Sequence, residues 1–125
     1  MRLLSGIELV DVEEVRSILE KDGENYIREN FTDAEREYCE SRKKMRHEHY
    51  AGRIAAKRAF LKAMGEEGLA LKEIEFFRDK GRAPELHLSD SIKSKTGIRP
   101  EDKILVSLAH ERKLAVATVV IVKDF

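Results

Sequence analysis

The chain has 125 residues, of which 42% are hydrophobic and 38% are charged. This composition predicts one folded domain over residues 1–125 and excludes an intrinsically disordered chain. The 24 Lys and Arg residues balance the 24 Asp and Glu residues, so the overall charge does not attract nucleic acid and any basic patch must be local. The single Cys39 excludes an internal disulfide, and no apolar run approaches the length of a membrane span. We therefore expect a cytoplasmic protein that binds neither nucleic acid nor a membrane.

The chain begins with a predicted strand at residues 3–10. Gly6 lies inside this strand, and an interior glycine often marks a bulge or the close approach of another group. Glu8 is the carboxylate of an otherwise apolar strand. It either faces solvent at the strand end, pairs with a cation, or belongs to a functional site.

Helices are predicted to follow this strand. Residues 11–21 and 24–30 have helical patterns and are separated by Gly23, which should break the first of them. Thr32 and Glu35 have the spacing of a capping box, in which each residue satisfies a backbone N–H at a helix start. A further helix should therefore begin directly after this threonine.

Residues 50–65 predict a long helix that is largely buried. Alanine recurs at every fourth position from Ala51 to Ala63, and larger apolar side chains form the neighbouring stripes. The same stretch contains cations and no carboxylate, and the cations form two like-charged pairs four residues apart. These cations need anions from elsewhere, either protein carboxylates or the phosphates of a ligand. They are Arg53, Lys57, Arg58 and Lys62.

The second half of the chain predicts mostly strands. Residues 74–78 and 85–88 predict two short strands, and residues 89–95 a short helix. Residues 103–109 and 114–122 predict an antiparallel hairpin. Its second strand is apolar on both faces, so it lies either in the centre of a covered sheet or in a subunit interface. The order of elements predicts an α+β fold, in which the long central helix packs on a mostly antiparallel sheet.

Four stretches of the sequence match, in order, the motifs of one family. They are GIELV from Gly6, the segment from Arg28 into FTDAE, AGRIAAKRAFLKA from Ala51, and SLAH ending at His110. They resemble the GIDxV strand, the FxxRxFTxxE segment, the AGRxAAKEAxxKA helix and the SxSHxxxxAxA hairpin of the holo-(acyl carrier protein) synthases. These enzymes are small 4′-phosphopantetheinyl transferases, and the resemblance covers almost the whole chain.

The resemblance implies a fold, a reaction and partners. The implied fold is the 4′-phosphopantetheinyl transferase-like one. In the implied reaction, which serves fatty acid biosynthesis, a serine hydroxyl of acyl carrier protein attacks the β-phosphate of coenzyme A, and 3′,5′-ADP leaves. A Mg²⁺ ion and basic residues hold the diphosphate during the transfer. The bacterial relatives are homotrimers with their sites in the clefts between subunits, and the doubly apolar strand would fit such an interface.

The resemblance also implies roles for individual residues. Glu8 and Lys62 are the expected catalytic residues, and Glu8 is the expected ligand of Mg²⁺. Arg28 is the expected docking residue for the carrier protein. The residues expected to contact the phosphates or the nucleotide end of coenzyme A are Arg53, Lys57, Lys62 and His110.

Three charged positions depart from the family pattern. Glu8 stands where the family has aspartate, and Glu14 stands where many members have the arginine that grips the acidic carrier protein. Arg58 stands where the family has its second metal-binding carboxylate, and a cation cannot ligate Mg²⁺. Either Arg58 pairs with Glu8 and replaces the ion with a salt bridge, or it contacts the diphosphate directly.

Two functions follow from these observations. The first is transfer of 4′-phosphopantetheine from coenzyme A to a serine of an apo acyl carrier protein. The alternative is a catalytically inactive homologue that keeps the fold, the trimer and nucleotide binding. Arg58 is the residue that discriminates between them.

Overall fold

The computed structural model describes residues 1–123, and its elements follow the predicted order. The structure is α+β, as predicted, with helices packed on antiparallel sheets. The elements are β1 (Arg2–Asp11), α1 (Val12–Asn30), α2 (Asp33–Ser41), α3 (Arg46–Met64), β2 (Ile74–Phe77), β3 (Glu85–Leu88), α4 (Asp90–Thr96), β4 (Lys103–His110) and β5 (Leu114–Lys123). Short 3₁₀ turns at Lys43–Met45 and Leu71–Glu73 precede α3 and β2.

The main sheet has three strands in the order β1-β5-β4, with both pairs antiparallel. The strands β2 and β3 form a separate antiparallel hairpin. The helix α3 crosses the inner face of the main sheet, where alternate β5 residues are almost completely buried. These residues are Ala115, Ala117, Val119 and Ile121.

Gly6 marks the close approach of β1 to α3. A Cβ atom on Gly6 would lie 2.1 Å from the carbonyl oxygen of Ala59 and 2.8 Å from the amide nitrogen of Ala63. Both atoms belong to the backbone of α3, so they cannot rotate away as a side chain could. The absent side chain at Gly6 and the small alanines facing it therefore allow the strand and the helix to approach to this distance.

The helix ends also follow from local sequence. Thr32 Oγ1 accepts a hydrogen bond from the Glu35 amide at 3.2 Å, and Glu35 Oε1 accepts one from the Thr32 amide at 2.9 Å, which confirms the capping box. The helix α3 ends at Gly65, whose φ of 68° is in the left-handed region. The predicted break in α1 lies at Asp22, whose φ of −152° and ψ of 49° are not helical.

The outer face of the main sheet carries large apolar side chains that are exposed in the single chain. Leu9 is 63% exposed and Leu105 is 57% exposed, although a large apolar group is usually covered. The other members of this outer face are Leu3, Ile7 and Leu114. The strand β5 is thus central in its sheet, with α3 covering its inner face and its outer face uncovered. Within residues 1–123, no helix is both long and apolar enough to cross a membrane.

Candidate active site

A basic cleft lies between the start of α3, the β2–β3 hairpin and the end of β4. Its volume is about 680 Å³. Its lining has four Arg and Lys side chains and two histidines against three carboxylates, and one of these, Glu35, is paired with Lys57, so an anionic ligand suits the cleft electrostatically. The basic side chains at the cleft are Arg42, His49, Arg53, Arg78, Lys80 and His110.

Arg53 is the most buried cation of the cleft, with 6% of its surface exposed. Its guanidinium carbon lies 4.5 Å from the centre of the Tyr38 ring and 5.0 Å from the centre of the Phe76 ring. Its Nη1 donates a long hydrogen bond of 3.4 Å to the carbonyl oxygen of His49. Its Nε is buried without a hydrogen-bond partner among the described residues. Since a buried donor without a partner is costly, Arg53 is suited to binding an anion in the cleft.

Two histidines lie beside Arg53 at the mouth of the cleft. His110 Nδ1 is 3.1 Å from Glu48 Oε1, and the rings of His110 and His49 meet edge to face with their centres 4.8 Å apart. Burial, followed by the electrostatic effect of His110 and the positive charges of Arg53 and Arg42, lowers the pKa of His49 from 6.5 to about 4. His49 is therefore neutral at pH 7. Sequence reasoning missed His49, although it lies one helical turn before Arg53 and so shares its side of α3.

The low pKa of His49 predicts how the free energy of unfolding depends on pH. Because the folded pKa is lower than the ordinary value of 6.5, the contribution of neutral His49 is complete above pH 6.5 and is lost as the pH falls towards 4. We expect the variant His49→Gln to lose less stability than the wild type between pH 7.5 and pH 5. Urea unfolding at the two pH values measures this difference. An equal loss in both proteins would contradict the assigned pKa.

Lys57 does not lie in the cleft, which corrects the prediction that it contacts a coenzyme A phosphate. Its side chain is fully buried, with Nζ 2.6 Å from Glu35 Oε1 and 2.6 Å from the carbonyl oxygen of Asn30. The other Glu35 oxygen, Oε2, accepts a hydrogen bond of 2.9 Å from the Phe76 amide. Burial lowers the pKa of Lys57, and the Glu35 charge opposes this shift. Lys57 therefore joins α3 to α2 and β2 and has no surface left for a ligand.

Lys62 and Glu8 form an ion pair at the other end of α3. Lys62 Nζ is 3.4 Å from Glu8 Oε1 and 3.2 Å from the carbonyl oxygen of Ile7. Arg58 is exposed one turn earlier. Burial raises the pKa of Tyr26, and the nearby Arg58 charge opposes this shift. The predicted pair between Arg58 and Glu8 is wrong, because Lys62 holds this carboxylate.

The structure does not bring the predicted phosphate-binding residues together within one chain. Arg53 and His110 lie at the basic cleft, whereas Lys62 lies with Glu8. Lys62 lies nine positions after Arg53, which places the two on opposite sides of an ideal helix and about 14 Å apart along its axis. Within one chain, the Glu8–Lys62 pair is therefore separate from the basic cleft.

Comparison with known proteins identifies the family. A profile described as the 4′-phosphopantetheinyl transferase superfamily matches residues 6–119. A holo-[acyl-carrier-protein] synthase from Ruminiclostridium cellulolyticum is 37% identical, over 97% of this chain and 92% of that protein. The chain belongs to the holo-(acyl carrier protein) synthase family.

Solved structures of family members have the same fold. An ACPS–CoA complex from Chronobacterium ammoniagenes superposes with a TM-score of 0.83 at 26% identity, over 97% of each chain. A holo-(acyl-carrier-protein) synthase from Bacillus anthracis in complex with CoA (3′,5′-ADP) gives a TM-score of 0.74 at 26% identity, over 94% of each chain. The holo-(acyl carrier protein) synthase fold predicted from the sequence is thereby confirmed.

The donor set does not fit the Mg²⁺ ion that the holo-(acyl carrier protein) synthase family implies. A Mg²⁺ ion is usually held by one or two carboxylates together with waters and substrate phosphates. Here Glu8 is the one carboxylate left for it, and that carboxylate is paired with Lys62, while the expected second carboxylate is replaced by the cation Arg58. Asp11 caps α1 and Glu111 accepts backbone N–H groups in the β4–β5 turn. Residues 1–123 contain no group of three or more His, Cys, Asp or Glu side chains placed to hold a metal ion.

The two residues expected at a synthase's carrier-docking surface both lie on α1. Arg28 and Glu14 are exposed, and Arg28 Nη2 donates a hydrogen bond to Asn25 Oδ1. Their exposure makes both accessible to a partner.

Proposed function

We propose that this chain is a transferase that moves 4′-phosphopantetheine from coenzyme A to a serine of an apo acyl carrier protein. The observation that carries the proposal is the family match over residues 6–119, which includes the basic cleft around Arg53 and the Glu8–Lys62 pair. Coenzyme A bears phosphates that suit this cleft.

The reaction is a phosphoryl transfer. The serine hydroxyl oxygen forms a bond to the β-phosphorus, and the bond from that phosphorus to the oxygen bridging to the α-phosphate breaks. Adenosine 3′,5′-bisphosphate leaves with the bonding electron pair, and the hydroxyl proton is released. Since catalysis of such a step rests on positioning and charge stabilisation, the protein must supply positive charge around the phosphates.

The cations at the two ends of α3 can share this task. Arg53 presents its guanidinium to a phosphate in the cleft, with His110 beside it. Lys62 is 58% exposed and offers its ammonium to the diphosphate, while Glu8 holds that ammonium in place. In this proposal Lys62 and Glu8 belong to the catalytic machinery, and Arg53 and His110 bind coenzyme A.

We propose that the site is completed between two subunits of a homotrimer. Two observations support this assembly: Arg53 and Lys62 lie on opposite sides of α3, and the outer face of the main sheet is apolar and exposed. A closed ring of three chains would cover this face and place one chain's Lys62 near its neighbour's cleft.

The variant Leu9→Lys tests the assembly. A lysine at the most exposed leucine of the apolar face should prevent association, because a charge would be buried without a partner. We expect light scattering after size-exclusion chromatography to give the mass of a monomer, with loss of transfer activity. Met45→Lys, at an exposed apolar residue outside the main sheet, is the matched control and should keep the wild-type mass. An unchanged mass for Leu9→Lys would contradict the assembly.

The transfer itself is tested with coenzyme A and an apo acyl carrier protein. We expect the carrier to gain the mass of phosphopantetheine, as measured by intact-protein mass spectrometry. Replacing Arg53 with methionine should lower kcat/KM about 10- to 100-fold, since it removes hydrogen bonds from a charged group. Arg36→Met, at an exposed arginine paired with Glu24, should leave it unchanged. Absence of transfer to every carrier tried would favour the inactive homologue, which the changes at positions 8 and 58 also suggest.

Further parts of the proposal concern cell context and docking. We place the protein in the cytoplasm, as one domain over residues 1–125, supplying holo carrier protein to fatty acid biosynthesis. Arg28 is the proposed docking residue for the carrier. Glu14 on the same helix repels an acidic partner, so the favoured carrier is less acidic at this contact or approaches more slowly.

A further inference from the structure

The charges around Glu8 are arranged differently from those of a magnesium site. Lys62 Nζ lies 3.4 Å from Glu8 Oε1 and 3.2 Å from the Ile7 carbonyl oxygen, so the ammonium already lies against one of the two carboxylate oxygens that a divalent cation would use. A Mg²⁺ ion at this carboxylate would compete with the ammonium and lie close to two like charges, those of Lys62 and Arg58. Like-charge repulsion at short range opposes its binding.

Arg58 is available to a ligand. It is exposed, it lies one helical turn from Lys62, and no carboxylate within residues 1–123 lies within ion-pair distance of it. Arg58 and Lys62 therefore form a pair of neighbouring cations on one side of α3. The carboxylate that faces this pair is Glu8 of β1. A guanidinium binds two phosphate oxygens in a fixed planar geometry, whereas an ammonium acts as a point charge with rotatable donors.

The net charge at this place is the same as it would be in a metal site. A Mg²⁺ ion held by one additional carboxylate carries a net single positive charge. Arg58, at the position where that carboxylate is expected, also carries a single positive charge. The substitution thus keeps the charge that faces the diphosphate and removes the need for an ion.

We infer that this chain binds coenzyme A and transfers its phosphopantetheine without a divalent cation, with Arg58 and Lys62 supplying the positive charge to the diphosphate. The inference rests on the proposed function for its transfer step, although its binding step can be tested separately. Arg58 contacts the substrate in this scheme, and Glu8 positions Lys62.

The first test measures binding and needs no carrier protein. Isothermal titration calorimetry with coenzyme A should give the same affinity in EDTA and in Mg²⁺. Arg58→Gln should weaken the affinity at least about tenfold in both solutions, whereas Arg36→Gln should not change it. Electron paramagnetic resonance of added Mn²⁺ should show no stoichiometric binding to the wild type. A stoichiometric Mn²⁺ site, or coenzyme A binding that requires Mg²⁺, would overturn the inference.

The second test measures transfer. We expect the wild-type rate to differ by less than about twofold between EDTA and Mg²⁺, because every charge comes from the protein. The double variant Arg58→Glu with Glu8→Asp restores two carboxylates and should depend on Mg²⁺. Transfer by the wild type only in Mg²⁺ would overturn the inference and leave the proposed function intact. Metal-independent binding of coenzyme A without transfer would instead overturn the proposed function.

Discussion

Replacing Lys57 with methionine is expected to lower the free energy of unfolding by about 3–5 kcal/mol. The substitution keeps most of the side-chain volume but leaves Glu35 buried without its cation. Glu35 cannot move to solvent, because its second oxygen accepts the Phe76 amide and its first caps α2. Urea unfolding followed by circular dichroism measures the loss.

Two further variants isolate the charge effect. The double variant Lys57→Met with Glu35→Gln removes both charges and keeps a group that can accept the capping hydrogen bond. It should be more stable than Lys57→Met alone, which is the signature of a coupled pair. Lys93→Met, at an exposed lysine of α4, should change stability by no more than about 0.5 kcal/mol. A loss for Lys57→Met as small as that of the control would show that the buried pair is not a stabilising element.

Gly6→Ala is expected to destabilise the protein by about 3 kcal/mol or more. The added methyl group would lie 2.1 Å from the Ala59 carbonyl oxygen, so β1 would have to move away from α3. Such a shift would also move Glu8 relative to Lys62. We expect a lower midpoint of urea unfolding together with a loss of soluble protein.

The matched control is Gly23→Ala. A Cβ atom on Gly23 would meet nothing within 4 Å, and the residue starts the second helical segment of α1, directly after the break at Asp22. The exchange should therefore be neutral or should stabilise the protein by up to about 1 kcal/mol, since alanine favours helix more than glycine does. If Gly6→Ala and Gly23→Ala changed the midpoint of urea unfolding equally, β1 would be able to move away from α3 at little cost in free energy.

Local patterns explain how much of the fold could be predicted. The capping box at Thr32 and the glycine at the end of α3 depend on neighbours in sequence, so their positions could be derived from it. The burial of Lys57 could not be derived from the sequence. It lies one turn after Arg53 on α3, which made the two look equivalent, and only the packing of α2 and β2 over Lys57 separates them.

The partner of Glu8 was missed for a related reason. Arg58 and Lys62 lie one turn apart on one side of α3, so the sequence allows either of them to pair with Glu8 of β1. Which of the two pairs with Glu8 depends on the position of β1 along the helix axis. The contact of Gly6 with the backbone between Ala59 and Ala63 sets that position, and no periodicity in the sequence encodes it.

The placement of Arg53 and Lys62 on opposite sides of α3 has a consequence for mixed assemblies. In the proposed ring, each chain contributes its cleft to one neighbour and its Glu8–Lys62 pair to the other. A chain altered at both ends of α3 would therefore inactivate the two sites that it shares with its neighbours. The intact residues that those neighbours contribute to the two sites would be lost to catalysis as well. Conversely, a chain defective only at Arg53 and a chain defective only at Lys62 would together form some wholly intact sites. When defective copies are co-expressed, a copy altered at both ends of α3 would thus be dominant over the wild type. Two copies altered at opposite ends of α3 would instead complement each other.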